Sequence, residues 1–90
     1  MSDPASTGNA EFIQATKDAK QLSYNPTNDE LLQLYSLFKQ SIVGDNDTEK
    51  PGMLDFTGKA KWEAWTKLKG TSKADAQAQY IALVKSLQAK

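Results

Sequence analysis

Apolar side chains recur three and four residues apart in four blocks of this chain, separated by proline, glycine and small polar residues. That spacing follows the roughly 3.6-residue turn of an α-helix and puts each block's apolar residues on one face. The first block runs from about Asn9 to Leu22, with Phe12, Ala15, Thr16, Ala19 and Leu22 in register and Asn9 as N-cap. Tyr24-Asn25-Pro26 breaks it, because proline has no amide donor and pushes its predecessor out of the helical region. Thr27 or Asn28 caps a second helix, whose first turn carries Asp29 and Glu30 and whose stripe is Leu31, Leu34, Tyr35, Phe38 and Ile42. Gly44 ends it. A third, shorter helix is expected from about Gly58 to Lys69, capped by Thr57 or Asp55, anchored by Trp62 and Trp65 and stopped at Gly70. Ser72 with Asp75 reads as a variant capping box for a fourth helix, which sets Ala76, Tyr80, Val84 and Leu87 on one face with Ile81 and Leu83 beside it. No strand-like alternation and no repeat interrupts this pattern. The fold class is all-α, a small four-helix bundle.

The segment from Asp45 to Thr57 is long for a connection in a compact domain, and loops of that length tend to be functional or to pack on their own side chains. Met53, Leu54 and Phe56 suggest that it folds back onto the core. Residues 1–8 are small and polar, read as a flexible N-terminal tail, leaving 9–90 as one domain.

Composition excludes several functions. The chain has no cysteine and no histidine, which removes disulfides, thiolate metal sites, and the commonest general base and metal ligand. No metal site is expected. Eleven lysines balance eleven acidic residues, so the basic footprint of a general nucleic-acid binder is missing. The start, MSDPASTGNAE, has neither a basic region nor an apolar run, and no segment approaches the roughly 20 apolar residues of a membrane span. A cytoplasmic, monomeric protein is expected, and the Asn46-Asp47-Thr48 sequon is taken as accidental.

Three motifs fail on inspection. Asp45 to Glu49 opens like a calcium loop, but Lys50 and Phe56 stand where glycine and glutamate are needed. Gly52 to Lys59 imitates a phosphate loop with one residue too many, and Ala60 replaces the magnesium-binding hydroxyl. Serine nucleophiles have no histidine to activate them. An enzyme is not expected.

Lysines and aromatic residues form the remaining constellation. Tyr35 and Lys39 lie four apart and share a helix face with Leu31 and Phe38, while Lys61 lies four before Trp65 and beside Trp62. One reading makes the aromatic residues core and the lysines solvated edges. The other makes them converge on a ligand with a base, several phosphates and an apolar tail. A base stacks on an aromatic ring, phosphates attract ammonium groups, and a long chain needs an apolar groove between helices.

The pieces Y-x-L-F-K-Q, V-G-D, K-P-G-M-L-D-F, G-K-A-K-W-E-A-W and L-K-G-T-S, in this order and spacing, resemble the signature of the acyl-CoA-binding proteins, and the likeness extends over roughly Phe12 to Leu87. The resemblance implies an up-down-down-up bundle whose long loop crosses between helices two and three. It implies that Tyr35 stacks near the adenine, that Lys39 binds the ribose 3′-phosphate, and that Lys61, Tyr80 and Lys20 complete the head-group contacts. Ser36, Leu37 and Phe38 would lie along the same face and edge, and Leu31 in the acyl-chain groove. Two positions depart from many members: Phe38 replaces a tyrosine, and Thr57 replaces a lysine found in some. The function implied is a non-enzymatic carrier and buffer of medium- to long-chain acyl-CoA esters, needing no cofactor and making transient contact with membranes or acyl-CoA-using enzymes. The competing expectation is a helical protein-interaction module without selectivity for CoA esters.

Overall fold

The structure is a computed structural model and describes residues 3–90. Four α-helices carry the fold: α1 (Ala10–Asp18), α2 (Asn28–Ile42), α3 (Phe56–Thr66) and α4 (Lys73–Gln88). Each begins at a side chain that satisfies an amide left open by the first turn. Asn9 Oδ1 accepts from Phe12 N at 3.1 Å, Asp55 Oδ1 from Gly58 N at 2.9 Å, and Ser72 Oγ from Asp75 N at 3.1 Å. At α2 the box is reciprocal: Thr27 Oγ1 accepts from Glu30 N at 3.2 Å, and Glu30 Oε1 accepts from Thr27 N at 2.8 Å. The third helix thus starts two residues earlier than the sequence suggests, because Asp55 rather than Thr57 caps it. The first is shorter than expected and tightens into a 3-10 turn over Ala19–Gln21 before Pro26.

Two further readings meet the structure differently. Where residues 1–8 are read as a tail, Pro4–Thr7 form a 3-10 turn whose first amide is capped by Asp3, and this turn packs against α1 and α2. Met1 and Ser2 lie outside the described residues. The expectation that Met53, Leu54 and Phe56 fold onto the core is wrong: they are 85%, 88% and 74% exposed. The loop is held instead by polar contacts near its start. Gly44 turns the chain at φ +95°, which only glycine adopts without strain, and its carbonyl accepts from Trp65 Nε1 at 2.9 Å. Thr48 O accepts from Trp62 Nε1 at 3.0 Å, and Asn46 Nδ2 donates to Thr66 Oγ1 at 2.9 Å. Asn46 therefore spends the atom that a glycan would occupy. Trp62→Phe should remove one of these ties at a cost of about 1 kcal/mol. Hydrogen exchange should register faster opening of residues 45–57 in that variant, and an unchanged loop would mean the indole donor holds nothing.

The core is one cluster of Phe12, Ala15, Leu34, Leu37, Tyr80, Val84 and Leu87. Phe12 meets Tyr80 edge-on at 5.1 Å and Phe38 at 6.2 Å, so one aromatic group joins α1, α2 and α4. Helix α2 is the shared element: it packs against both α4 and α3, while α1 packs against α4. The order is up-down-down-up. Running α3 in the same sense as α2 requires the connection to travel back along roughly 22 Å of helix, which residues 43–55 reach easily at about 3.3 Å per residue. Helix α3 leans on the bundle mainly through α2.

Glu30 is expected to make the stability of the bundle sensitive to acid. The Thr27 amide, the Lys90 ammonium at 2.9 Å and the Tyr24 hydroxyl at 2.9 Å hold its carboxyl at about 2, down from 4.5. A carboxyl depressed on folding stabilises the native state above its unfolded value and stops doing so as pH falls through the folded one. The urea midpoint of the protein should therefore exceed that of Glu30→Gln at pH 6, with the gap closing between about 4.5 and 2. A gap independent of pH would mean that the charge of Glu30 is not what matters.

Candidate functional site

Helix α2 carries two residues into a group of three clefts that share lining residues. Tyr35 and Lys39, one turn apart, face α3 and line a polar cleft of about 330 Å³ with Lys61, Trp62, Trp65 and Glu49. Thr48, Pro51 and Gly58 close its edge. From Lys61 a mainly apolar groove of about 360 Å³ continues between the starts of α2 and α3, walled by Leu31, Leu32, Phe56, Thr57 and Ala60. On the other side of Tyr35 a third cleft of about 340 Å³ faces α1 and α4, with Thr16, Ala19, Lys20, Phe38 and Tyr80 around it. Tyr35 belongs to the first and third clefts, and Lys61 to the first and second.

The cations of this surface rest on aromatic faces. Lys61 Nζ lies 5.2 Å from the centre of the Tyr35 ring, and Lys39 Nζ lies 5.5 Å from that of Trp65. Lys50 sits 6.0 Å over Trp62, at the loop side. Such contacts are worth about 0.5–1 kcal/mol at exposed sites. Tyr80 is almost wholly buried, which pushes its hydroxyl up to about 12. It stays protonated across the physiological range and can donate to an anion.

The structure brings together most residues that the sequence nominates. Lys20, Tyr35, Phe38, Lys39, Lys61 and Tyr80 all line the polar or the α1-side cleft, and Leu31 lines the apolar groove. Ser36 and Leu37 are not among the lining residues. They are 5% and 7% exposed; Leu37 belongs to the core, and the Ser36 hydroxyl donates to Gln33 O at 3.1 Å within its own helix. The reason is the turn of α2: each residue rotates the side chain by about 100°, so positions one and two after Tyr35 leave the face that Tyr35 and Lys39 share. Phe38 packs between Phe12 and Tyr80 at 6.2 and 6.3 Å. Thr57, the other departure from the family pattern, lies in the apolar groove and not in the polar cleft.

Sequence reasoning missed Thr16, Glu49, Leu32 and Ala60. Thr16 was legible in principle, since it precedes Lys20 by four residues and so shares its face. Glu49 was not, because a loop residue has no period to reveal its neighbours. Trp62 and Trp65, the expected anchors of the third helix, donate their indole N–H groups to Thr48 O and Gly44 O and also line the polar cleft. Among the described residues no three acidic side chains gather where they could hold a metal ion.

This geometry has close relatives. The family model described as "Acyl CoA binding protein" matches residues 9–84. The acyl-CoA-binding protein homolog of Drosophila melanogaster is 58% identical over 80 residues, covering 89% of this chain and 93% of that one. The acyl-CoA-binding protein of Saccharomyces cerevisiae is 52% identical over 79 residues, covering 88% and 91%. Among solved structures, Oryza sativa Acyl-CoA-Binding Protein 2 superposes with a TM-score of 0.82 at 40% identity, covering 86% of each chain. The solution structure of the yeast acyl coenzyme A binding protein superposes at 0.71 with 50% identity, over 89% of this chain and 93% of that one. With a family match over most of its length and relatives above half identity, this chain belongs to the acyl-CoA-binding protein family.

Proposed function

We propose that this protein binds medium- to long-chain acyl-CoA esters and carries and buffers them without catalysis, as a cytosolic monomer. The observation that supports this best is Lys61, which lines both the polar cleft containing Tyr35 and Lys39 and the mainly apolar groove. A CoA ester has the same division: an anionic nucleotide at one end and a hydrocarbon tail at the other. Lys39, Lys61 and Lys20 attract the phosphates, Tyr35 stacks the base, Tyr80 donates a hydrogen bond, and Leu31 with its neighbours covers the chain.

Magnitudes divide the work. Each buried methylene is worth about 0.8 kcal/mol, so a chain of roughly fourteen grosses on the order of 11 kcal/mol. The costs of association cancel much of this. A stacked base adds about 1–3 kcal/mol, and each charge-assisted hydrogen bond about 1.5–3 kcal/mol. The chain therefore governs how affinity varies with length, and the nucleotide end selects the ester over the free fatty acid. Exposed Met53 and Leu54 stand on the loop that leads to Phe56 in the groove wall, a face suited to brief contact with a membrane or an acyl-CoA-using enzyme.

Calorimetry with palmitoyl-CoA, free CoA and palmitate tests the reading. Tight one-to-one binding of the ester, with either fragment far weaker, is the expected result. Equal weak binding of all three would overturn it.

A further inference from the structure

Tyr35 borders two clefts. In the polar cleft the Lys61 ammonium lies 5.2 Å from the centre of its ring, whereas Lys61 is not among the residues that line the α1-side cleft. A base stacked on Tyr35 without expelling that cation therefore uses the α1-side cleft. There it lies against α1 and α4, beside Ala19, Phe38 and Tyr80. Most of that wall is hydrocarbon, and a base that enters it must find partners for its polar edge.

Thr16 is the buried polar residue of this wall. It is 7% exposed, and its hydroxyl donates to Ile13 O at 2.7 Å. Its single proton is thus committed to the helix, while the oxygen keeps a lone pair for an incoming donor. The other polar side chains of the wall have different capacities: Lys20 only donates, and the Tyr80 hydroxyl is a donor as well as an acceptor. On the reading of the site given above, the geometry points to Thr16 as a base-selecting residue: its Oγ1 accepts a hydrogen bond from the exocyclic amine of the base stacked on Tyr35. A base with a carbonyl at that position would set two acceptors against each other. The site so built takes a 6-aminopurine and rejects its deaminated, hypoxanthine counterpart.

The experiment compares palmitoyl-CoA with the palmitoyl ester of deaminated CoA by calorimetry, using the whole chain and its Thr16→Val, Thr16→Ser and Tyr35→Leu variants. The unaltered protein should prefer the amino form by about 3- to 10-fold, the effect of one neutral hydrogen bond. Thr16→Val keeps the shape and loses the oxygen, so it should bind the two esters equally, while Thr16→Ser should restore the preference. Serine also serves if valine disturbs the helix, since loss of preference in Thr16→Ser with an intact fold would overturn the proposal. A preference that survives in Thr16→Val, or no preference in the unaltered protein, would do the same. Tyr35→Leu separates this from failure of the site itself. Undiminished binding of palmitoyl-CoA by that variant would overturn the stacking site and the proposal with it, whereas weakened binding together with an unaltered base preference in Thr16→Val would overturn the role of Thr16 alone.

Discussion

Lys39→Ala should weaken acyl-CoA binding by about 2 kcal/mol or more, the value of one charge-assisted hydrogen bond, and so raise Kd roughly 30-fold. The lysine lies one turn from Tyr35, its ammonium rests over Trp65, and both aromatic rings border the same cleft as Lys61. The contact with Trp65 is worth about 0.5–1 kcal/mol, so the variant is compared with the unaltered protein at a temperature where both are folded. Calorimetry with palmitoyl-CoA should show the loss, and circular dichroism an unaltered helix content. The loss should also shrink as salt is added, since a phosphate–ammonium contact at the protein surface is screened over about 8–10 Å. Unchanged affinity with an intact fold would remove Lys39 from the site. A loss independent of salt would assign it a packing role.

Phe12→Ala should cost about 3–5 kcal/mol of stability. The residue is completely buried and its ring is the centre of the contacts with Tyr80 at 5.1 Å and Phe38 at 6.2 Å. Removing it leaves a void where α1, α2 and α4 meet. A domain of this size loses about 4–8 °C of Tm per kcal/mol, so the midpoint should drop by about 12–40 °C. Phe12→Leu should retain most of the stability. Thermal melts followed by circular dichroism measure both, and a drop of only a few degrees for alanine would mean that the aromatic group does not hold α1 to the bundle. The change should also reach the ligand, because Phe38 and Tyr80 line the α1-side cleft. Phe12→Ala at a temperature where it is still folded should bind palmitoyl-CoA more weakly, through a loosened wall rather than a lost contact.

The helices were legible because their signals are local. Asn9, Thr27, Asp55 and Ser72 cap their helices by contacts within three residues, and the apolar period of α1, α2 and α4 names Phe12, Leu34, Tyr80, Val84 and Leu87 as core without reference to partners. The pairing of Tyr35 with Lys39 was legible for the same reason, as a four-residue step on one helix. The loop was not. Met53, Leu54 and Phe56 look like core by composition, but a loop has no period to aim them, and the polar ties at Gly44, Asn46 and Thr48 leave them outside.

Local patterns of sequence thus determined an all-α bundle, the helix starts, most of the core and which lysines and aromatic rings share a helix face. Each of these depends on neighbours a few residues away, whose geometry the backbone period sets before any tertiary contact forms. Only the tertiary structure decided that Lys61 lies over Tyr35 from another helix, that Ser36 and Leu37 turn away from the clefts, and that Tyr35 borders two clefts. Those facts depend on how α2 is set against α3, α1 and α4, and packing between elements distant in sequence carries no local mark.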